Sequence, residues 1–225
     1  MFPGALDTLY QETNERTLAL WRDAPGSGET MRGDYYDKET FAPVAGIQPA
    51  LSPALHELLS AVNALAEGDP LADAMPLSGL HFTFLAVTLP LYQRQQRPEK
   101  LAELLEIWEA YRAHPTRISE LRLVALPGQL LLAGIPDSDS EAARKALAQR
   151  LLRSGWRDEI TARYHNTPLP PPFWHSTLLR YRAQRLPAQW RDFFLNRQRL
   201  RYGSVSAARQ LVMANYNWTQ VEPLA

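Results

Sequence analysis

The chain has 225 residues, 45% of them hydrophobic, and equal numbers of acidic and basic side chains. This length and composition are ordinary for a globular protein with a substantial core, and no apolar run approaches the roughly 20 residues of a membrane span. The absence of cysteine excludes disulfide bonds and thiolate metal sites. Because the N-terminus lacks the basic start and apolar stretch of a secretory signal, we expect a cytoplasmic protein that does not associate with membranes.

Residues 1–35 are polar and are expected to form an N-terminal extension, with one short helix around 6–21, before a single domain over 36–225. The first half of that domain is predicted to contain a strand over 41–47, a helix over 52–68, a strand over 80–89 and a helix over about 98–113. Ser52 is the expected N-cap of the helix over 52–68, because Pro53 follows it at the first helical position.

The second half of the domain starts with a strand pair around a Pro-Gly turn, at 120–136. It is predicted to continue with a helix over 138–155, a proline-rich loop over 164–173, a strand over 173–181, a helix over 187–200 and a strand near 208–218. Ser138 and Glu141 have the spacing of a capping box at the start of the helix over 138–155, and Gly155 is its expected end.

Charge is distributed unevenly along the chain. Residues 1–141 hold 10 basic and 20 acidic side chains, whereas residues 142–209 hold 14 basic and 3 acidic ones. Of the 24 basic residues, 21 are arginine, which binds phosphate oxygens in a forked geometry. The C-terminal half therefore suits an anionic partner such as RNA or a nucleotide. The same arginines could also lie on solvated helix faces of a chain that uses arginine instead of lysine.

The sequence His-x-Thr occurs in two predicted strands, as "HFTF" at 81–84 and "HSTL" at 175–178. Because side chains on a strand alternate between its two faces, His81 and Thr83 should share one face, and His175 and Thr177 should share another. Phe82 and Phe84 are expected on the face opposite to His81. A third match, "HNT" at 165–167, falls in the proline-rich loop and is not expected on a strand.

The order of predicted elements repeats. A helix leads to a His-x-Thr strand and then to another helix, twice. This order predicts two similar lobes, each contributing one such strand to a shared cleft.

Two imidazoles and two hydroxyls in one cleft suit the cleavage of a phosphodiester. One neutral imidazole can accept a proton from an attacking water or hydroxyl, and the other, protonated, can donate to the leaving oxygen. The threonine hydroxyls can donate hydrogen bonds to non-bridging phosphate oxygens. This chemistry requires no metal and no cofactor. Each histidine could instead serve only to complete a buried hydrogen-bond network.

The paired strands resemble the signature of the 2H phosphoesterase superfamily, which includes bacterial RNA 2′,3′-cyclic phosphodiesterases of the 2′-5′ RNA ligase type. The resemblance covers about residues 41–218. It implies a bilobal, duplicated α+β fold in which two antiparallel sheets line a central cleft and helices pack outside. It also implies His81 and His175 as the acid and base, in either order, and Thr83 and Thr177 as phosphate-binding hydroxyls.

The resulting expectation is a phosphoric diester hydrolase acting on a nucleotide or an RNA terminus that carries a 2′,3′-cyclic phosphate, or a related cyclic or 2′-5′ linkage. Tyr181 should share the strand face of His175 and could stack on a base, whereas Arg180 and Arg182 should point to the opposite face. The alternative function is a non-catalytic protein that binds RNA or nucleotides through the arginine-rich half. The sequence does not indicate the natural substrate or the oligomeric state.

Overall fold

A computed structural model describes residues 3–112 and 114–225. Over these ranges the protein is α+β, with a four-stranded and a five-stranded antiparallel sheet, one of them curled into a half-barrel, and six helices. Residue 113, the predicted last residue of the helix near 98–113, lies outside the described residues, as do residues 1 and 2 of the predicted extension.

The elements follow one another as alternating short groups of strands and helices. The helices are α1 Pro3–Asp23, α2 Pro53–Ala66, α3 Leu101–Trp108, α4 Ser138–Leu152, α5 Arg157–Arg163 and α6 Ala188–Leu195, with a 3₁₀ turn at Leu77–Gly79. The strands are β1 Ala42–Ile47, β2 Ala72–Ala74, β3 Phe82–Ala86, β4 Pro115–Leu126, β5 Gln129–Pro136, β6 His175–Tyr181, β7 Val205–Ala208, β8 Gln210–Ala214 and β9 Val221–Pro223. Every helix predicted from the sequence is present, although α3 and α6 are shorter than expected. Helix α5 and strands β2, β7 and β9 were not predicted.

The four-stranded sheet has the order β3-β1-β8-β9, so β8 near the C-terminus pairs with the first strand of the chain and β9 pairs with β8. The predicted strand near 208–218 is wrong in extent, because β8 ends at Ala214 and a turn follows. Asn215 holds this turn: its side-chain oxygen accepts from the backbone of Gln220 at 3.1 Å, and its amide donates to the hydroxyl of Thr219 at 3.0 Å. Asparagine side chains commonly satisfy turn backbone in this way.

The five-stranded sheet has the order β2-β6-β5-β4-β7. The predicted hairpin is confirmed, with Leu126 opposite Gln129 across the Pro-Gly turn. Strand β5 is buried along nearly its whole length, which is why its sequence is continuously apolar and does not alternate.

Helix ends confirm one predicted cap and correct another. Ser52 caps α2, accepting from the backbone N–H of Leu55 at 3.3 Å. The predicted capping box at Ser138 is wrong, because the carboxylate of Asp137 accepts from the backbone N–H of Ser140 at 2.7 Å and so occupies the N-cap position itself. Helix α4 also ends at Leu152, short of the predicted Gly155.

Helix α1 packs against the five-stranded sheet and is longer than predicted. Leu6, Tyr10 and Trp21 are buried in the main core. The hydroxyl of Thr17 donates to the carbonyl of Ala125 at 2.8 Å, and that of Tyr10 donates to the carbonyl of Gly134 at 2.9 Å. The predicted extension therefore shares its core with the rest of the chain, while the boundary at residue 35 stays a prediction. Among the described residues, no helix combines the length and apolarity that crossing a membrane would need.

Candidate active site

A cavity of about 260 Å³ is lined by both sheets. Strands β1, β3 and β8 of one sheet and strands β5 and β6 of the other contribute side chains to it. The four residues predicted to act together all line this cavity: His81, Thr83, His175 and Thr177. His165, from the third His-x-Thr match, is exposed after α5 and is not among the cavity residues. The structure thus brings together the two strand motifs and leaves out the loop motif.

Strand alternation explains how each motif presents two polar groups to the cavity. His81 immediately precedes β3, and His175 begins β6. The residues between each His and Thr, Phe82 and Ser176, are each 1% exposed and point away from it. Each strand is therefore polar on its cavity face and buried behind, as the sequence predicted.

Both strands contain a β-bulge one residue after the threonine. In β3, Thr83 pairs with Gly46 but Leu85 pairs with Ala45, so Phe84 is the extra residue. In β6, Thr177 pairs with Leu131 but Leu179 pairs with Leu130, so the extra residue is Leu178. A bulge reverses which face the following residues present. Phe84, the extra residue, is buried in the core as predicted, at 1% exposed, but it also lines the cavity, so its predicted strand face is wrong.

The bulge in β6 also exchanges the predicted positions of Arg180 and Tyr181. Arg180 lines the cavity together with His175 and Thr177, whereas Tyr181 is 6% exposed and does not line it. The expected faces of both residues are therefore wrong, because simple alternation fails across the extra residue. Binding of substrate by Tyr181 stays an untested prediction.

The ring of His81 is held on two sides. Its Nδ1 lies 2.8 Å from the carbonyl oxygen of Gly79, in the 3₁₀ turn. Because a carbonyl can only accept, Nδ1 carries the proton and donates, and the neutral ring keeps an unprotonated Nε2. The indole of Trp218 stacks on the imidazole, with ring centroids 4.9 Å apart and planes 7° from parallel. Burial lowers the pKa of His81 from 6.5 to about 3, opposed by the bond to Gly79.

The ring of His175 is held less firmly. Its Nδ1 is buried without a hydrogen-bond partner among the described residues, and the edge contact with Phe173 has centroids 6.1 Å apart. Burial, followed by the positive charges of Arg144 and Arg180, lowers the pKa of His175 to about 4. Both imidazoles are therefore neutral at pH 7 in the empty cavity.

The two threonine hydroxyls are free to bind a ligand. Thr177 is 8% exposed and Thr83 is partly exposed, and neither side chain hydrogen-bonds to another described residue. Buried hydroxyls usually have a partner. Two hydroxyls without partners on the same cavity therefore suit a ligand rich in acceptor oxygens.

Arg180 sits among aromatic rings at the cavity. Its guanidinium lies 5.3 Å from the ring centre of Tyr36 and 5.4 Å from that of Tyr216, and 4.0 Å from Asp73. The hydroxyl of Tyr216 donates to Asp73 at 2.9 Å, and burial together with Asp73 raises the pKa of this tyrosine. These contacts orient the guanidinium, while the two rings stack at 5.8 Å.

Arg144 of α4 supplies a second positive charge next to His175. It is 3% exposed, lies 4.4 Å from the ring centre of Trp174, and donates to the carbonyls of Phe173 and Pro171. Its Nε has no partner among the described residues. Arg163 also lines the cavity.

The charge of the cavity suits an anion. Among the described residues that line it, three are arginines and none is an aspartate or glutamate. No group of three or more His, Asp or Glu side chains in the described part of the chain lies where it could hold a metal ion.

Several cavity residues were missed from the sequence. Arg180 lies three residues after Thr177 in the same strand, but only the bulge brings it to the cavity. Tyr36, Arg144 and Trp218 come from distant segments and carry no local pattern that marks them. The arginine-rich character of residues 142–209 was the only sequence signal, and it did not single out Arg144.

Comparison with known proteins found no family model that matches the chain and no match among curated proteins. The site is therefore interpreted from its geometry and charge.

Proposed function

We propose that the protein is a metal-independent phosphodiesterase of the 2H type, which hydrolyses a 2′,3′-cyclic phosphate or a related cyclic or 2′-5′ nucleotide linkage. One observation carries this proposal: His81, Thr83, His175 and Thr177 line a single cavity, although 94 positions separate the two motifs. Each histidine also keeps a ring nitrogen without a partner among the described residues, the Nε2 of His81 and the Nδ1 of His175.

The hydrogen bond at Gly79 favours His81 as the general base. With its proton held on Nδ1, the imidazole offers the lone pair of Nε2 to the attacking water. The water oxygen attacks phosphorus and its proton passes to Nε2. The bond from phosphorus to the 2′ or 3′ oxygen then breaks, leaving a monophosphate.

His175 is the general acid in this scheme, and it gives the departing oxygen a proton. The bound phosphodiester is an anion, so it raises the pKa of the adjacent imidazole and favours the protonated form that the step requires. After the reaction His81 holds one additional proton and His175 lacks one. Exchange with solvent restores both.

Thr83, Thr177 and Arg180 would stabilise the phosphoryl group as negative charge grows on its non-bridging oxygens. Neither hydroxyl has a hydrogen-bond partner in the described part of the chain, and the guanidinium is oriented by Tyr36, Tyr216 and Asp73. Donors already fixed in place need little reorganisation during the reaction, which is the source of their catalytic effect.

The duplicated, bilobal arrangement is supported by the matched bulges. Each sheet carries one His-x-Thr strand, and each of those strands has its extra residue directly after the threonine. The two strands therefore repeat a local irregularity as well as a motif. This similarity is what a duplicated lobe would retain.

The alternative of a purely RNA-binding protein is weakened by where its arginines lie. Arg144, Arg191 and Arg209 of the basic segment are each less than 9% exposed, and their guanidinium groups donate to backbone carbonyls. Arg182 pairs with Asp34 at 2.9 Å. These four of the 14 basic side chains in residues 142–209 therefore serve the fold.

A panel assay with chelator tests the proposed function. It would offer 2′,3′-cyclic mononucleotides, RNA ending in a cyclic phosphate, 2′-5′ oligomers and cyclic dinucleotides. We expect turnover with EDTA present, and a loss of at least about 10²-fold in His81→Ala and in His175→Ala. His165→Ala is the matched control, since His165 belongs to the third motif but is exposed away from the cavity. Full activity in both cavity variants would refute the mechanism, and salt-sensitive RNA binding without any product would favour the alternative.

A further inference from the structure

Trp218 has an unusual relation to the active-site base. Its indole lies flat against the imidazole of His81, 4.9 Å between centroids, although 137 positions separate the two residues. We propose that Trp218 is a positioning residue for His81, whose indole face fixes the orientation of the imidazole and stabilises the imidazolium that forms when His81 accepts the proton of water. This inference rests on the proposed function, in which His81 is the base.

The backbone at Trp218 is strained. Its φ is 54°, in the left-handed region that non-glycine residues rarely adopt. A bulky residue keeps such a conformation only where the surrounding structure enforces it, and such positions cluster at functional sites. Here the strain belongs to the turn after β8, and it carries the indole of Trp218, which is 3% exposed, to the cavity.

Two glycines provide the space for this turn. A Cβ at Gly46 of β1 would lie 2.6 Å and 2.9 Å from atoms of the indole of Trp218. A Cβ at Gly79 would lie 2.5 Å from the carbonyl oxygen of Asn217. Gly79 is also the residue whose carbonyl accepts from His81, so one backbone position admits the turn and orients the imidazole.

A side-chain hydrogen bond holds the turn from the opposite side. The amide of Gln48 donates to the carbonyl oxygen of Trp218 at 3.1 Å. The indole is thus fixed by its own strained backbone, by the gap at Gly46 and by this bond. The arrangement constrains the plane of the His81 ring, because a parallel stack and the bond at Gly79 together leave one orientation for Nε2.

The stack also has an electrostatic role during the reaction. The face of an indole is negative and attracts a cation above it, so the stack favours the imidazolium over the neutral ring. That preference opposes burial and the charges of Arg180 and His175, which all disfavour protonation of His81. The other titratable or charged groups on the cavity are Arg144, Arg163, Tyr36, Tyr164 and Tyr216.

Kinetics of substitutions at Trp218 test the inference. We expect Trp218→Phe to retain activity within about threefold, because phenyl keeps a π face, and Trp218→Leu to lose about tenfold in kcat. KM should stay within about twofold in both, since the interaction grows only as His81 becomes charged. Trp190→Leu is the matched control, because Trp190 is equally buried and does not line the cavity.

A second variant moves the indole without removing it. Gly46 does not line the cavity, and a methyl group at this position would push the indole off His81. The same methyl group would lie 2.8 Å from the carbonyl oxygen of Phe82, so it would also shift β3 directly after His81. Gly46→Ala should therefore lower kcat as Trp218→Leu does. Proton–nitrogen correlation NMR of the histidine side chains adds a readout that needs no turnover. Because an aromatic face shifts the protons above it upfield, the ring protons of His81 should be shifted upfield in the wild type and in Trp218→Phe, but not in Trp218→Leu.

The outcomes separate this inference from the proposed function. Unchanged kcat in Trp218→Leu, a rise in KM alone, or an equal loss of kcat in folded Trp190→Leu would overturn the role of Trp218 and leave the hydrolysis intact. Absence of turnover of any cyclic phosphate by the wild-type protein would instead overturn the proposed function, and this inference with it.

Discussion

The two halves of the candidate site present the same motif but restrain it differently. His81 is fixed by a carbonyl on one side and an indole face on the other. His175 has a buried Nδ1 that finds no partner over residues 3–112 and 114–225, and its ring makes an edge contact with Phe173. A base benefits from a fixed tautomer, because its lone pair must face the attacking water. An acid must change protonation state when substrate binds, so a less restrained ring suits it. Under the proposed mechanism, this asymmetry favours His81 as the base and His175 as the acid, roles that the motifs alone leave equal.

The largest expected effect distinguishes the general acid from the general base, because the two histidine variants should respond differently to a substrate whose leaving group needs no proton. With a cyclic phosphate, both histidine-to-alanine variants should lose at least about 10²-fold. With a nucleoside 4-nitrophenyl phosphodiester, the leaving oxygen needs no proton, so we expect the loss in His175→Ala to shrink below about tenfold while that in His81→Ala persists. Release of nitrophenolate, followed by its absorbance, measures both. The reverse pattern would exchange the two assignments.

The phosphate-binding groups should show the next largest effect, and they test whether the two halves contribute equally. Thr83→Val and Thr177→Val each remove one donor at nearly constant volume, and Arg180→Gln removes the charge. We expect each to lower kcat/KM by about 10²-fold, the scale of one lost donor to a developing oxyanion. The measurement is steady-state kinetics with a 2′,3′-cyclic nucleotide.

Arg182→Gln is the matched control for Arg180→Gln. Arg182 lies two residues further along the same chain segment, pairs with Asp34, and does not line the cavity. Its substitution should leave kcat/KM within about twofold of the wild type. A similar loss of kcat/KM in both arginine variants would mean that this segment of the chain tolerates neither substitution. It would also remove the support for a contact between Arg180 and phosphate.

The lowered pKa values of the two histidines, about 3 for His81 and about 4 for His175, predict how activity depends on pH. The base must be unprotonated and the acid protonated, and kcat/KM reports the free protein. As pH rises above the pKa of His175, the protonated fraction falls tenfold per unit, so activity should fall and the maximum should lie on the acid side of 6.5.

The positive charge of Arg180 lowers the pKa of both imidazoles, so substitution of Arg180 tests whether these pKa values determine the pH dependence of activity. In Arg180→Gln both pKa values should rise and the maximum of kcat/KM should move to higher pH. Profiles of kcat/KM for the wild type and the variant, over about pH 4 to 8, measure this shift. A wild-type maximum above neutral pH would contradict the lowered pKa values.

The smallest effect concerns helix α1, which packs against β4 and β5 of the five-stranded sheet, the half that contains His175. The hydroxyl of Tyr10 donates to the carbonyl of Gly134 and accepts from the backbone N–H of Trp174 at 3.2 Å, next to His175. Tyr10→Phe leaves both buried groups unpaired, so unfolding free energy should fall by about 1–3 kcal/mol. Denaturant titration measures this change, and histidine NMR should show a perturbed His175 beside an unchanged His81. Equal perturbation of both rings would contradict the selective support.

Local sequence patterns determined much of the scaffold of this protein. Alternation within β3 and β6 predicted that each His and its Thr share a face, and the Pro-Gly turn predicted the β4–β5 hairpin. The N-cap at Ser52 was also predicted correctly, because a cap is decided by residues within one helical turn. These features depend on the chain's own neighbours, so they can be read without knowing what packs against them.

Tertiary structure alone decided the rest of the site. A bulge depends on the register with the partner strand, so alternation could not predict that Arg180 would replace Tyr181 on the cavity or that Phe84 would join it. The stack of Trp218 on His81 requires a strained turn and a glycine on a different strand to meet. The two motifs carry the candidate catalytic side chains, while residues from distant segments, such as Trp218 against His81 and Arg144 near His175, add to the orientation of one imidazole and to the lowered pKa of the other.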